Sequence, residues 1–182
     1  MSSSAIRRDR AAKEKAARKL DREAIILQFD FQAGPLRYHG PIITTALTIT
    51  QAHRDALAAA GAPIPTPVSC RFLLDTGADG CVVKHEFAVQ AGLKLINANT
   101  PLRGVGVDTS GKAYMGRVVF GVASRVVAGA QHQVFVDTQV MSGDLQTTLF
   151  DGLIGRDVLQ HFTVTYDGKT GRVTMRYHRP QA

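Results

Sequence analysis

A chain of 182 residues, 45% hydrophobic and 20% charged, is long enough for one well-buried core and lies within ordinary globular composition, which excludes a fibrous or globally disordered protein. The net charge of +7 is uneven: from Arg7 to Glu23 eight Lys or Arg stand against four Asp or Glu, while the remainder carries fourteen against eleven, and an excess gathered in a tail argues against nucleic acid as the main partner. No apolar run reaches the ~18 residues of a membrane span, and the N-terminus lacks the apolar centre of a secretory signal, so a cytoplasmic protein with no membrane span is expected.

The composition divides the chain into a basic arm, 1–23, and a single domain, 24–182. In the arm, a Ser run leads into strong helix formers with almost no apolar stripe, which predicts a solvated helix or a disordered tail. Strand-forming residues begin at 25–31. Gly34-Pro35 and Gly40-Pro41 break the chain before a second strand rich in β-branched residues at 42–50. Residues 51–60 predict a short helix capped by Thr50 and stopped by Gly61 and Pro63, followed by a linker with Pro63, Pro65 and Pro67. A strand over 68–74, a return strand over 81–84 and a short helix over 85–91 ended by Gly92 come next. Residues 102–107 and 113–120 then predict two arms of a long hairpin around a polar tip at 108–112. Further strand is expected at 134–136 and 140–141, a short helix at 155–161, and a terminal hairpin of 162–166 and 172–177.

The stretch Phe72-Leu73-Leu74-Asp75-Thr76-Gly77-Ala78-Asp79 carries the chemistry. An apolar strand ends abruptly in a carboxylate, a hydroxyl residue and glycine, which is a way to present one Asp on a tight turn. Taken alone, it is also an ordinary polar turn. Far downstream, Leu153-Ile154-Gly155-Arg156-Asp157 places an apolar pair and a glycine ahead of the predicted short helix. In this order the two stretches resemble those of the retropepsin-like aspartic peptidases, over roughly residues 41–177. The resemblance implies a mainly β fold: a closed acid-protease barrel with a β-hairpin flap and one short C-terminal helix, to which the helical basic arm is added. The helix at 51–60 and the proline linker depart from the family's first hairpin.

The resemblance also assigns roles. Asp75, Thr76 and Gly77 would be the catalytic turn, with the Thr76 hydroxyl reaching the partner's turn and Gly77 leaving room for substrate backbone. Ala78 is small for the same reason. Asp79 would pair with Arg156 in a partly buried ion pair that stiffens the turn, the alternative being two independent surface charges. Gly104, Val105 and Gly106 would belong to a flap closing over the substrate. Asp157, at the start of a helix, suits the positive end of the helix dipole.

Hydrolysis by carboxylates needs two around one water, one ionised and one neutral. The chain offers a single Asp-Thr-Gly, so the second must come from another copy. The expectation is a homodimeric aspartic endopeptidase acting on protein or peptide, with no cofactor and no metal. The alternative is a catalytically silent dimerisation or protein-binding module of the same fold. Cys70 and Cys81 flank the motif strand and turn and are expected to be reduced, partly buried thiols. Cys81 and His85 alone make no metal site.

Overall fold

The computed structural model of the chain describes residues 12–16, 18, 23–104 and 107–179. Residues 12–16 form a helical turn, α1, with residues 12–15 exposed, in keeping with helix formers that have no apolar stripe to dock. Most of the rest of the predicted arm lies outside the described residues.

The body is a closed six-stranded barrel with a three-stranded sheet beside it. β2 (Ile42–Thr48), β3 (Val68–Leu74), β8 (Gly152–Ile154), β4 (Cys81–Val83), β7 (Gln131–Ser142) and β6 (Val107–Ala123) are neighbours in that order. Pairing of β2 with β6, at Ala46–Val119 to Thr48–Arg117, closes the ring. β5 (Lys94–Gly104) extends it from the outer side of β6. β1 (Ile26–Asp30), β10 (Arg172–Tyr177) and β9 (Phe162–Asp167) make the second sheet, with β10 in the centre. One buried cluster joins the two, including Leu27, Phe72, Phe120, Val158, Phe162 and Met175, and the Phe120 and Phe162 rings meet edge to face at 5.2 Å, a favoured aromatic geometry. The alternation of buried and exposed residues along β7 is what one wet and one dry face demand. Among the described residues no helix is long and apolar enough to cross a membrane.

α3 (Gln51–Ala59) forms where expected, its N-terminus capped by the Thr50 hydroxyl accepting from the His53 N–H at 3.3 Å. α4 (His85–Gln90) ends before Gly92, whose φ of 65° explains the glycine. α5 (Arg156–Leu159) is the predicted short C-terminal helix.

Four expectations change. The Gly34-Pro35 break instead lies within a helix, α2 (Ala33–His39); proline fits a first turn, where its missing N–H costs nothing. The strands expected at 134–136 and 140–141 are one continuous β7. β4 does not return along β3, because β8 inserts between them, parallel to β3 and antiparallel to β4. The polar stretch 108–112 is strand, not hairpin tip: Arg103 pairs with Asp108 and Thr100 with Gly111, so the chain reverses between Gly104 and Val107. Gly111 is there for close packing, since a Cβ on it would run into the Ser142 carbonyl oxygen.

Candidate active site

β3 carries Asp75 to the rim of the barrel. The Asp75 N–H donates to the Ile154 carbonyl at 3.0 Å, the Ala78 N–H to the Asp75 carbonyl at 3.2 Å, and the Gly77 N–H to Asp75 Oδ1 at 2.8 Å. The carboxylate is therefore aimed by its own turn. Asp75 is half-buried, while Thr76 and Gly77 are exposed.

The second motif holds this turn from behind. Gly152 must be glycine because a Cβ would lie 2.5 Å from the Phe72 ring and 2.6 Å from the Val82 carbonyl oxygen. At Gly155 a Cβ would lie 2.5 Å from the Gly80 carbonyl oxygen. Only without those atoms can the two motifs touch through their backbones. The Arg156 N–H donates to the Ala78 carbonyl at 2.9 Å and the Asp157 N–H to the Asp79 carbonyl at 3.1 Å. The Arg156 guanidinium adds a bond from Nη1 to the Thr76 carbonyl at 2.7 Å and an ion pair from Nη2 to Asp79. The expected partners do meet, but the pair is not partly buried in the chain by itself: the Arg156 and Asp79 side chains are 53% and 93% exposed.

Asp157 does more than face a helix dipole. Its carboxylate accepts from the Cys81 N–H at 3.1 Å, the Thr138 hydroxyl at 2.5 Å and the Cys81 thiol at 3.4 Å. It thereby ties α5 to both β4 and β7. Burial, with Asp157's negative charge behind it, pushes the Cys81 thiol well above its usual range, and burial pushes Cys70 up to about 12. Both cysteines are free.

The floor beside Asp75 is apolar. Leu73, on the less buried face of β3 two residues before Asp75, lies opposite Leu153, which lies opposite Val82. All three are half-buried. Leu102 of β5 approaches the same region, for a Cβ on Gly143 would meet Leu102 at 3.2 Å and Val82 at 3.4 Å. These residues are invisible as a group in the sequence, since only the strand order β3-β8-β4 assembles them. Gly104 ends β5 in the flap hairpin; Val105 and Gly106 lie outside the described residues. At the hairpin's base, Tyr114 Oη and His85 Nδ1 are 3.1 Å apart, beside a cavity of about 620 Å³ lined in part by Lys84, Lys112 and Asp144.

Two other aspartates of the domain are committed to arginines. Asp151 is buried and bound bidentately by Arg71 at 2.8 and 3.2 Å, and that bonding holds its carboxyl below the usual range. Asp137 is gripped by Arg117 at 2.5 and 3.0 Å. Among the described residues no group of three His, Cys, Asp or Glu side chains could hold a metal ion.

No match was found among the curated proteins. The model of a family described as aspartyl protease matches residues 64–158, slightly more than half of the chain. That span runs from the proline linker through the Asp75 turn to the segment that clasps it. With a closed barrel presenting Asp-Thr-Gly and a glycine-bearing second motif locked behind it, the chain belongs to the aspartyl protease family.

Proposed function

We propose that the protein is a homodimeric aspartic endopeptidase of retropepsin-like type, in which two Asp75 carboxylates, one from each copy, share a single hydrolytic water. The observation that carries this reading is the isolation of Asp75: it stands on an exposed turn, while Asp137, Asp151 and Asp157 are each held by partners of their own. A two-fold axis beside the turn supplies the missing acid. Two carboxyls that close cannot both ionise, so they retain one proton between them. The ionised member takes the water's proton as the oxygen attacks the scissile carbonyl, and the neutral member hydrogen-bonds the developing oxyanion. The same pair then returns a proton to the leaving amine.

Thr76 has an exposed side chain, and among the described residues its hydroxyl has no partner. In the dimer it bonds to the partner's turn and holds the two acids near one plane. Gly77 and Ala78 leave space for the peptide backbone, Asp79 and Arg156 stiffen the turn, and Gly104, Val105 and Gly106 belong to the flap over the peptide. The half-buried Leu73, Val82 and Leu153 favour apolar side chains next to the cleaved bond.

Cleavage of a diverse peptide library across acidic to neutral pH, at several protein concentrations, tests the proposal. Activity is expected to rise faster than linearly with concentration and to vanish in Asp75→Ala. Activity surviving in that variant, or activity from protein that sedimentation shows to be monomeric, would exclude a shared dyad. If Asp75→Asn binds a partner as the native chain does and neither protein cleaves any peptide, the fold acts as a binding module.

A further inference from the structure

At the opposite end of β3 from Asp75 lies a second cavity, of about 410 Å³, between α3 and strands β2, β6 and β7. Pro67, which precedes β3, is part of its wall. The seven residues of β3 separate it from the catalytic turn, a distance of roughly 20 Å at ~3.3 Å per residue. It is therefore distinct from the substrate groove.

The lining is two-sided. Ala46, Ile49, Pro67 and Val119 give an apolar floor, while Thr48, Gln51, Arg54 and Arg117 supply polar groups and Phe135 an aromatic wall. Among the described residues no acidic residue lines it, although Asp137 and Asp55 stand beside Arg117. Arg117 is already spent: it holds Asp137 with two bonds, donates to the Gln51 side-chain oxygen at 3.4 Å and sits 5.2 Å from the centre of the Phe135 ring. Besides the exposed, uncharged Gln133, two other polar groups are not spent. Thr48 is 4% exposed, and among the described residues its hydroxyl has no hydrogen-bond partner. Nor, among the described residues, does the guanidinium of half-buried Arg54 have a hydrogen-bond or ion-pair partner. A buried hydroxyl left unbonded costs stability, and here it borders the same cavity as an uncommitted cation.

We propose that this cavity is a binding site for apolar carboxylates. The hydrocarbon lies on the floor of Ala46, Ile49, Pro67 and Val119, and the carboxylate meets Arg54 and the Thr48 hydroxyl, which are donors facing a charged acceptor. One uncommitted cation suits one negative charge; a phosphate dianion would call for a second, and Arg117 is neutralised by Asp137. A fatty acid and the new C-terminus of a cleaved apolar peptide both present this chemistry.

Titration of the full chain with octanoate and with N-acetyl-Phe-Leu, followed by calorimetry or amide chemical shifts, tests the site, with octanamide as the neutral control. For ligands of this size the expected dissociation constant is roughly 0.1–1 mM for at least one carboxylate. Which of the two binds more tightly tells a lipid-like from a peptide source. Arg54→Gln should weaken the carboxylate about 10-fold and leave octanamide unchanged. Thr48→Val keeps the shape, removes the unbonded hydroxyl, and should melt no lower than the native chain while binding the carboxylate less tightly. Asp75→Asn should bind as the native chain does; loss of binding there would place the probes in the substrate groove and overturn the assignment. Absence of saturable binding by either acid up to about 10 mM, equal affinity for octanamide, or an unaltered Arg54→Gln protein would each overturn it as well.

Discussion

Asp157 shows how a single carboxylate can hold a site together without touching substrate. It takes donors from Cys81 and Thr138, and so fixes α5 and the backbone bonds that run from Arg156 and Asp157 to the Asp75 turn. Asp157→Ala should cost about 2–4 kcal/mol in chemical denaturation, because it strands an N–H and a hydroxyl in a half-buried place. In the sequence this residue was legible only as a charge at a helix start, since its donors come from two strands that only the fold brings near. Glu23 was hidden for the same reason. Lying at the boundary of the basic arm, it accepts from Ser124 Oγ at 2.6 Å, from the Arg125 N–H at 2.6 Å and contacts His132 Nε2 at 2.8 Å, with both the Glu23 and His132 side chains 8% exposed. The Ser124 bond, then the His132 contact, lower its pKa from 4.5 to about 2. A depressed acid stabilises the fold above its unfolded pKa and loses that contribution as pH falls through the folded one. The stability gap between the native chain and Glu23→Gln should therefore close as pH falls from about 4.5 towards about 2, as read by denaturant melts at a series of pH values.

At the level of elements, strands with a strong apolar signal were legible and turns were less so. Residues 68–74 and 172–177 are strands to the residue, because β-branched and apolar runs between polar turns leave one solution. Glycine misleads more easily, since it marks both turns and close approaches. Gly111 has the polar neighbours of a hairpin tip, yet it is the point where β6 crosses tightly by Ser142, with Leu102 over it. Gly111→Ala should therefore lose about 1–3 kcal/mol through overpacking, whereas a glycine at an exposed tip would tolerate the change. Thermal melts of the variant decide between the two roles. The same principle governs Gly155: alanine there meets the Gly80 backbone, and because backbone has no rotamer to yield, the Asp75 turn must shift. Peptide cleavage should fall more steeply than stability.

For the whole molecule, the proposed dimer leaves open how its interface would be held. The Arg156 and Asp79 pair bears on this. In the chain by itself the two side chains are 53% and 93% exposed, and pairs in such surroundings contribute about 0–1 kcal/mol. An ion pair desolvated at an interface behaves differently, since deleting one partner leaves the other buried and uncompensated, at about 3–5 kcal/mol. The two situations separate by concentration. If the dimer axis runs beside the Asp75 turn, Asp79→Asn should barely alter melting measured in dilute protein, where the copies are apart. It should weaken dimerisation by roughly 10²- to 10⁴-fold for each pair lost, as read in sedimentation, and activity should recover as concentration rises. Asp79 is the better choice for this test, because Arg156 also bonds the Thr76 carbonyl and its removal would loosen the turn in either state. A dimer constant unchanged by Asp79→Asn would place the pair outside the interface and require a different axis between the two turns.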